Sequence, residues 1–259
     1  MGNYAELTQG SVWYDDQGSG VPVILLHGGA VDSRFFEHNI GPLAEHLRVI
    51  PTDLWGHGRT RDRESDFSLD SFAADVEELI EQVVGGPAHV VGHSIGAEVA
   101  LAVALRRPDL VRRLVNVSGG LDDPADIHPV SDEQIEQTVA FLGARYGEVS
   151  PDGEAHFPVV VRKDFELSAR GPAFAADDVG AITARTMVMA ADDDLLPVER
   201  FVELYRAIPN GELSIVPGTS HFLLQEKPDA CNAIIIEFLT RDPVPTVAPI
   251  RRAPAAPAP

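Results

Sequence analysis

Short apolar runs alternate with helical patterns along most of the chain, and this alternation restricts the possible folds more than any other feature. Six runs are rich in aliphatic residues: 21–26 (VPVILL), 47–53 (LRVIPTD), 87–92 (PAHVVG), 113–119 (RLVNVSG), 185–191 (RTMVMAA) and 211–218 (GELSIVPG). Continuous apolar runs of this length are typical of strands that are buried on both faces of a parallel sheet. The order of the patterns therefore predicts an α/β fold with a doubly wound, mostly parallel sheet and right-handed crossovers.

Local signals mark where some of these elements begin and end. Apolar residues at positions 69, 72, 76, 79, 80 and 83 have helical spacing, with Ser68 as the predicted N-cap and Gly85 as the stop. Ahead of the first apolar run, residues 11–22 (SVWYDDQGSGVP) predict an antiparallel hairpin that leads into the sheet.

One interval breaks the alternation and suggests a second lobe. Residues 121–184 separate two predicted strands by 64 residues, far more than a simple crossover needs. A helix is expected from Ser131, which forms a capping box with Gln134. We interpret residues 1–120 and 185–241 as the core and residues 121–184 as a helical cap, or lid, over one end of the sheet. The Pro- and Ala-rich residues 242–259 predict a disordered tail.

Composition limits the partners and the location that we expect. The formal net charge of −20 repels nucleic acid and anionic lipid, so neither is an expected partner. No apolar run approaches the roughly 20 residues of a membrane span, and the N-terminus does not resemble a signal peptide. We therefore expect a cytoplasmic protein that acts on a small molecule, and the oligomeric state is left open. With Cys231 as its single cysteine, the chain cannot form an internal disulfide.

The stretch GHSIG at 92–96 is the first candidate catalytic motif. G-x-S-x-G between a predicted strand and a helix is a nucleophile elbow, a turn so tight that the residues flanking the serine must be small. Such a turn lifts the hydroxyl of Ser94 to the carboxyl edge of the sheet, at the N-terminus of the following helix. A tight structural turn is the alternative interpretation.

A serine nucleophile needs a base, and the base needs a carboxylate that orients it. In this type of fold the chain order is serine, acid, histidine. His221 follows the last predicted strand and is the expected general base. The loop after the preceding strand contains three adjacent acids, Asp192, Asp193 and Asp194, and the pattern alone leaves the choice among them open.

Acyl transfer also needs N–H donors for the developing oxyanion. The residue after the nucleophile, Ile95, is expected to supply one donor. The loop HGGAVDSRF after the first apolar run is expected to supply the other, because Gly28 and Gly29 let the backbone turn sharply. The same loop lacks the Lys-Ser/Thr pair of a P-loop, which argues against a phosphate site.

Taken together, HGG at 27–29, DLWGHGRT at 53–60, GHSIG at 92–96, the acid after TMVMAA and GTSH at 218–221 resemble the α/β-hydrolase superfamily over roughly residues 8–241. The resemblance implies that Gly29 and Ile95 form the oxyanion hole and that Asp194 is the triad acid, with Ala191 in place of the family's usual glycine. Some members carry the acid after the strand that follows the elbow helix, which makes Asp122 or Asp123 the alternative.

Three functions are compatible with this set of residues. The first is a serine hydrolase that cleaves a carboxylic ester or lactone of an uncharged, fairly hydrophobic small molecule through an acyl-enzyme on Ser94. The second is a C–C bond hydrolase of a diketone-type substrate, with Arg162 or Arg185 available for an acidic tail. The third is a ligand receptor with slow turnover on the same fold. For substrate contacts we select four aromatic residues: Phe35, Phe141, Phe157 and Phe165. No cofactor is expected, and no metal site, because the nine histidines lack metal-ligand spacing.

Overall fold

A single mixed sheet forms the centre of the molecule. The structure, a computed structural model, describes residues 2–121, 130–170, 174–244 and 246–248. Its strands in chain order are β1 (Asn3–Leu7), β2 (Gly10–Tyr14), β3 (Gln17–Gly18), β4 (Pro22–Leu26), β5 (Arg48–Thr52), β6 (Ala88–His93), β7 (Val111–Val117), β8 (Arg185–Asp193) and β9 (Gly211–Ser220). All six predicted strands are confirmed, as β4 to β9.

The strand order is β1-β2-β5-β4-β6-β7-β8-β9, with β3 paired to β5. Strands β4 to β9 run parallel to one another, and β1 to β3 pair antiparallel at one edge. After β5 the chain crosses back over β4 to form β6. Such a reversal of strand order opens a crevice at the carboxyl ends of the strands, which is where open α/β sheets bind ligands. The predicted doubly wound α/β fold is confirmed.

Helices cover both faces of the sheet. In chain order they are α1 (Glu37–Ala44), α2 (Leu69–Leu79), α3 (Ile95–Arg106), α4 (Asp132–Gly147), α5 (Phe157–Ser168), α6 (Ala176–Val179), α7 (Val198–Ala207), α8 (Leu223–Glu226) and α9 (Pro228–Thr240). Along β4, Ile24 and Leu26 belong to the apolar layer beneath α2 and α3, whereas Val23 and Leu25 belong to the opposite layer beneath α1 and α9. Strand β4 is apolar at every position because both of its faces are buried.

Local capping follows the sequence pattern. The Ser68 side chain accepts a hydrogen bond from the Ser71 N–H at the start of α2, and Gly85 ends the helical segment with φ of 73°. Between them, α2 continues into one π-helical turn at Ile80–Val84. The capping box of Ser131 and Gln134 at the start of α4 is also present. These predictions are confirmed.

The predicted position of the N-terminal hairpin is wrong. The hairpin consists of β1 and β2, so it ends at Tyr14 instead of lying within residues 11–22. Within the stretch that was expected to form the hairpin, a glycine is required for a different reason. Gly18, with φ of 78°, lies so close to the chain before β5 that a Cβ would come 2.3 Å from the Leu47 carbonyl oxygen. The chain does reverse between β3, which runs antiparallel to β5, and β4, which runs parallel to it, but β3 and β4 each pair with β5 and not with each other.

Helices α4, α5 and α6 lie between β7 and β8, in the interval predicted to be a cap. Phe157 on α5 packs against Tyr146 on α4, with ring centroids 4.7 Å apart. Lys163 on α5 binds the carboxylate of Asp62 in the core at 2.8 Å. Residues 122–129, 171–173 and most of the predicted tail lie outside the described residues. Among the helices that the structure describes, none is both long and apolar enough to cross a membrane.

We predict that Gly92→Ala disrupts the fold around the elbow, whereas Gly143→Ala does not. A Cβ at Gly92 would lie 2.1 Å from the Gly96 carbonyl oxygen, and the backbone would have to move. Gly143 lies within α4, where a Cβ would meet Phe157 and Val139 at 3.6 and 3.8 Å, which are ordinary contacts. Urea denaturation should show a loss of several kcal/mol for Gly92→Ala and a gain of about 0.5–1 kcal/mol for Gly143→Ala. Equal stability of the two variants would contradict the tight elbow.

Candidate active site

Ser94 occupies a strained turn between β6 and α3. Its backbone has φ of 55° and ψ of −123°, a conformation that is rare for a residue other than glycine. A Cβ at Gly96 would lie 2.3 Å from the Leu26 carbonyl oxygen, so α3 starts directly against the end of β4. The Ser94 side chain makes no capping hydrogen bond to α3. The hydroxyl is therefore available for chemistry.

Asp194 lies just beyond β8 and faces His221, which follows β9. The Asp194 Oδ1 and His221 Nδ1 atoms are 2.6 Å apart. Oδ1 also accepts from the Leu195 N–H at 2.8 Å, and Oδ2 accepts from the Ser118 hydroxyl at 2.7 Å and the Ala191 N–H at 3.2 Å. Burial raises the pKa of Asp194, but these hydrogen bonds and the His221 charge outweigh it and lower the pKa to about 2. Asp194 is thus ionised at neutral pH and can hold His221 in one orientation.

The other candidate acids have different surroundings. Asp192 accepts a hydrogen bond from the Thr219 N–H at 3.1 Å, and bonds from this stretch of backbone lower its pKa. Asp193 is an exposed residue at the end of β8. Asp122 and Asp123 lie outside the described residues. Among the aspartates that the structure describes, Asp194 is the one whose carboxylate contacts His221.

His93, inside the elbow motif, supports the position of His221. Its Nε2 donates a hydrogen bond to the His221 carbonyl oxygen at 2.8 Å, and its ring stacks on Phe35 with centroids 4.3 Å apart. Burial, and then the charge of His221, lower the pKa of His93 to about 3, so this ring stays neutral at neutral pH. The hydrogen bond from His93 anchors the backbone of His221.

The loop after β4 lies beside the elbow. A Cβ placed on Gly29 would be 2.9 Å from Ile95 Cδ1, and a Cβ on Gly28 would be 3.0 Å from the Ser94 Cβ. Ile95 is the first residue of α3, so its N–H has no partner within the helix. The two residues predicted to supply the oxyanion donors are therefore neighbours in the structure, next to Ser94.

Sequence reasoning missed Asp164. This residue lies on α5, yet its Oδ2 accepts a hydrogen bond from the Ala30 N–H at 2.8 Å and lies 3.0 Å from His57 Nε2. Asp164 is 5% exposed and His57 is 1% exposed, so both are withdrawn from water. No motif identifies an aspartate in the middle of an amphipathic helix. Asp164 is recognised only from its hydrogen-bond partners Ala30 and His57, which lie 134 and 107 residues away in the chain.

A cavity of about 470 Å³ opens beside these residues, between α4 and the core. Phe35, Phe141, Tyr146 and Phe222 are among its lining residues, whereas Ser94 and His221 are not. The cavity nevertheless adjoins the predicted catalytic residues, because its lining includes Ala30, which follows Gly29, and Phe222, which follows His221. Of the four aromatic residues selected from the sequence, Phe35 and Phe141 line the cavity. Phe157 is fully buried between α4 and the core, and Phe165 packs against the same apolar layer.

The arginines suggested for an acidic tail are not at this cavity. Arg185 begins β8, at the opposite edge of the sheet from Asp194, and binds Glu212 at 2.7 Å. Arg162 is exposed on α5 and pairs with Asp132 at 2.8 Å. The cationic side chain in the lining of the cavity is Arg145. No cluster of three histidine, cysteine or acidic side chains that could hold a metal is found in the described ranges.

These features define the class of protein. The model of the alpha/beta hydrolase family matches residues 23–234, and the chain belongs to this family. It is 27% identical to a 2-hydroxy-6-oxononadienedioate/2-hydroxy-6-oxononatrienedioate hydrolase from Dechloromonas aromatica, over 88% of this chain and 90% of that one. It is 24% identical to a 2-(acetamidomethylene)succinate hydrolase from Mesorhizobium japonicum, over 86% and 90%. The enol-lactonase from Burkholderia xenovorans LB400 has a similar fold, with a TM-score of 0.76 at 19% identity over 92% and 100% of the two chains. The chain is accordingly a hydrolase by family.

We predict that Asp194→Asn lowers stability at neutral pH and that its effect disappears in acid. The depressed pKa of about 2 means that the carboxylate stabilises the fold above its ordinary pKa near 4, and that this contribution is lost as the pH falls through about 2. After allowance for solvent screening, we expect a deficit of about 1–2 kcal/mol at pH 7. Denaturation curves from pH 7 to pH 2 measure it, with the exposed neighbour variant Asp193→Asn as control. A deficit that does not change with pH would contradict the assigned ionisation.

Proposed function

We propose that the chain is a serine hydrolase that cleaves a carboxylic ester or lactone of an uncharged, fairly hydrophobic small molecule through an acyl-enzyme on Ser94. The observation that carries the proposal is the 2.6 Å contact of His221 with the ionised Asp194, next to the strained elbow of Ser94, where His93 contacts both the backbone and the ring of His221. An oriented imidazole beside a serine at an elbow is the arrangement that acyl transfer requires.

In the acylation step Ser94 attacks the carbonyl carbon while the Nε2 atom of His221 takes the hydroxyl proton. Asp194 is bound to the other ring nitrogen, Nδ1, so it selects the tautomer in which Nε2 is free to accept. The negative charge of Asp194 also stabilises the imidazolium that forms. The N–H groups of Gly29 and Ile95 bind the oxygen as it becomes negative.

Collapse of the tetrahedral intermediate transfers the proton from His221 to the leaving alcohol, which departs and leaves the acyl group on Ser94. A water molecule then gives a proton to His221 and attacks the acyl carbonyl, and the acid product leaves with Ser94 regenerated. Every proton in this cycle moves through His221. The mechanism needs no metal or organic cofactor.

The cavity supports the choice of substrate. Its volume of about 470 Å³ is within the range of small-molecule sites, and its lining contains the side chains of Val31, Phe35, Phe141, Leu142 and Phe222. The proposal assigns the apolar part of the substrate to this cavity and the scissile carbonyl to the space beside Ser94. The neutral, apolar character of most of the lining favours an uncharged ester or lactone.

A C–C bond hydrolase of a diketone-type substrate is the second candidate. The Dechloromonas relative, whose name specifies a 2-hydroxy-6-oxo-dienedioate, supports it. A specific observation also favours it: Arg145 lines the cavity and is 44% exposed, although its guanidinium lies 3.7 Å from Glu37 and donates to the Arg34 carbonyl oxygen, so an anionic tail would compete with Glu37 for it. The same serine, histidine and aspartate would serve this reaction.

We expect a fluorophosphonate to modify wild-type protein once, on Ser94. Intact-protein mass spectrometry followed by peptide mapping should place the adduct on the peptide that contains Ser94, and Ser94→Ala should carry none. On any substrate that the wild type turns over, Ser94→Ala should lose on the order of 10⁶ in kcat. A folded wild-type protein that stays unmodified by a small probe would contradict the mechanism. A modified protein that performs only a single turnover would favour a ligand receptor.

A substrate panel separates the two candidate bonds. Uncharged aryl esters and lactones should be hydrolysed with a kcat/KM that Arg145→Gln leaves unchanged within about threefold, because these substrates form no ion pair with Arg145. If the substrate is instead a 2-hydroxy-6-oxo-dienoate, Arg145→Gln should raise KM by tenfold or more, about 1.4 kcal/mol. Arg162→Gln, on the exposed side of α5, is the matched control. Preferential turnover of the dienoate would replace the first proposal by the second.

A further inference from the structure

Asp164 connects α5 to the loop that carries the predicted oxyanion donor. Its Oδ2 atom accepts hydrogen bonds from the Ala30 N–H at 2.8 Å and from His57 Nε2 at 3.0 Å. Ala30 directly follows Gly29 and has φ of 59°, a strained value for alanine. Because the peptide between Gly29 and Ala30 is planar, fixing the Ala30 N–H fixes that whole peptide and limits how the Gly29 backbone can rotate.

The partner of Asp164 is the buried imidazole of His57. His57 Nδ1 lies 3.2 Å from the Trp55 carbonyl oxygen, and Nε2 faces Asp164, so both ring nitrogens lie beside oxygen atoms that can accept hydrogen bonds. Burial lowers the pKa of His57, but the charge and hydrogen bond of Asp164 outweigh it and raise the pKa. The neighbouring ring of His27 is neutral, since its Nε2 accepts from the Leu54 N–H at 3.0 Å.

Asp164 also lies next to Gly29, at the point where Gly29 is closest to Ile95, the other predicted oxyanion donor. A Cβ on Gly29 would lie 3.1 Å from Asp164 Cγ and 2.9 Å from Ile95 Cδ1. Gly29 is therefore enclosed between α5 on one side and the start of α3 on the other. A movement of the carboxylate would therefore remove the contact that confines Gly29 on the side of α5.

Asp164 uses its two carboxylate oxygens unequally. Its Oδ1 atom is buried and has no hydrogen-bond partner among the described residues. A buried oxygen without a partner is unfavourable for folding, and apolar residues of similar size often replace a buried polar group without loss of stability. A half-satisfied carboxylate at a strained loop beside the proposed oxyanion hole is more readily explained by activity than by folding.

We propose that Asp164 is a positioning residue: by fixing the Gly29–Ala30 peptide it limits rotation of the Gly29 backbone, whose N–H group is the proposed oxyanion donor, so that the orientation of this donor depends on the docking of α5. The inference rests on the proposed function. It concerns the orientation of an oxyanion donor and requires no contact between Asp164 and the substrate.

Lys163, the residue before Asp164, provides a matched control. Its ammonium group binds Asp62 at 2.8 Å and the Arg63 carbonyl oxygen at 2.7 Å, so it docks the same helix on the core without touching the loop after β4. If Asp164 acted only by docking α5, Lys163→Gln would have the same effect on catalysis as Asp164→Ala. If Asp164 positions the loop, only the Asp164 variants should be impaired.

The test is the rate at which a fluorophosphonate phosphonylates Ser94, measured over a range of probe concentrations, with thermal denaturation of each variant. The phosphonyl oxygen enters the oxyanion hole during attack, so the maximal rate reports the orientation of its donors. We expect Asp164→Ala to lower the maximal rate at least about tenfold, less than the roughly 10²- to 10³-fold effect of deleting a donor. Asp164→Asn keeps an acceptor for Ala30 and should lose only about fivefold. Lys163→Gln should stay within about twofold, and probe affinity should not change.

Wild-type rates in both Asp164 variants would overturn the inference, as would a loss in Lys163→Gln equal to that in Asp164→Ala, or a loss confined to probe affinity. If Asp164→Ala does not fold, the maximal phosphonylation rate of Asp164→Asn is compared with that of the wild type instead, and a wild-type rate would overturn the inference. Absence of labelling in the wild type would instead overturn the proposed function, and the inference with it. The two failures are thus distinguishable in one experiment.

Discussion

The strained turn at Ser94 is the constraint on which the rest of the site depends. A φ of 55° at this serine brings α3 back against the sheet so closely that Gly92 and Gly96 have no room for a side chain. The same close approach brings the start of α3 next to the loop that follows β4. The elbow therefore sets the position of the hydroxyl and also the distance between Ile95 and Gly29, the two proposed oxyanion donors.

Two carboxylates of the candidate site differ in how their oxygens are used. Asp194 accepts from His221, Ser118 and two backbone N–H groups, which explains a pKa of about 2 despite its burial. Asp164 has both partners on one oxygen, and its other oxygen has none among the described residues. The first arrangement stabilises the fold and orients a base. The second, in our proposal, connects the inserted helices to the chemistry in the core.

Much of the candidate site could be predicted because its residues lie at the ends of strands that sequence patterns identify. The choice among Asp192, Asp193 and Asp194 could not be made from the pattern, since adjacent residues have the same composition and nearly the same position. Pairing of β8 with β9 decides which of them contacts His221, because it engages Asp192 with the backbone of Thr219 and leaves Asp194 free to face His221. The aromatic residues of the insertion were equally ambiguous, and packing buries Phe157 while it leaves Phe141 at the cavity.

The sequence by itself determined the order of strands and helices, the ends of several helices and the elbow. These features depend on periodicity and on hydrogen bonds between residues a few positions apart, which a linear pattern records. Only the tertiary structure decided that Asp164 meets Ala30 and His57 and that His93 holds the backbone of His221. Such contacts join residues more than a hundred positions apart, and they exist only after the helices have docked on the sheet.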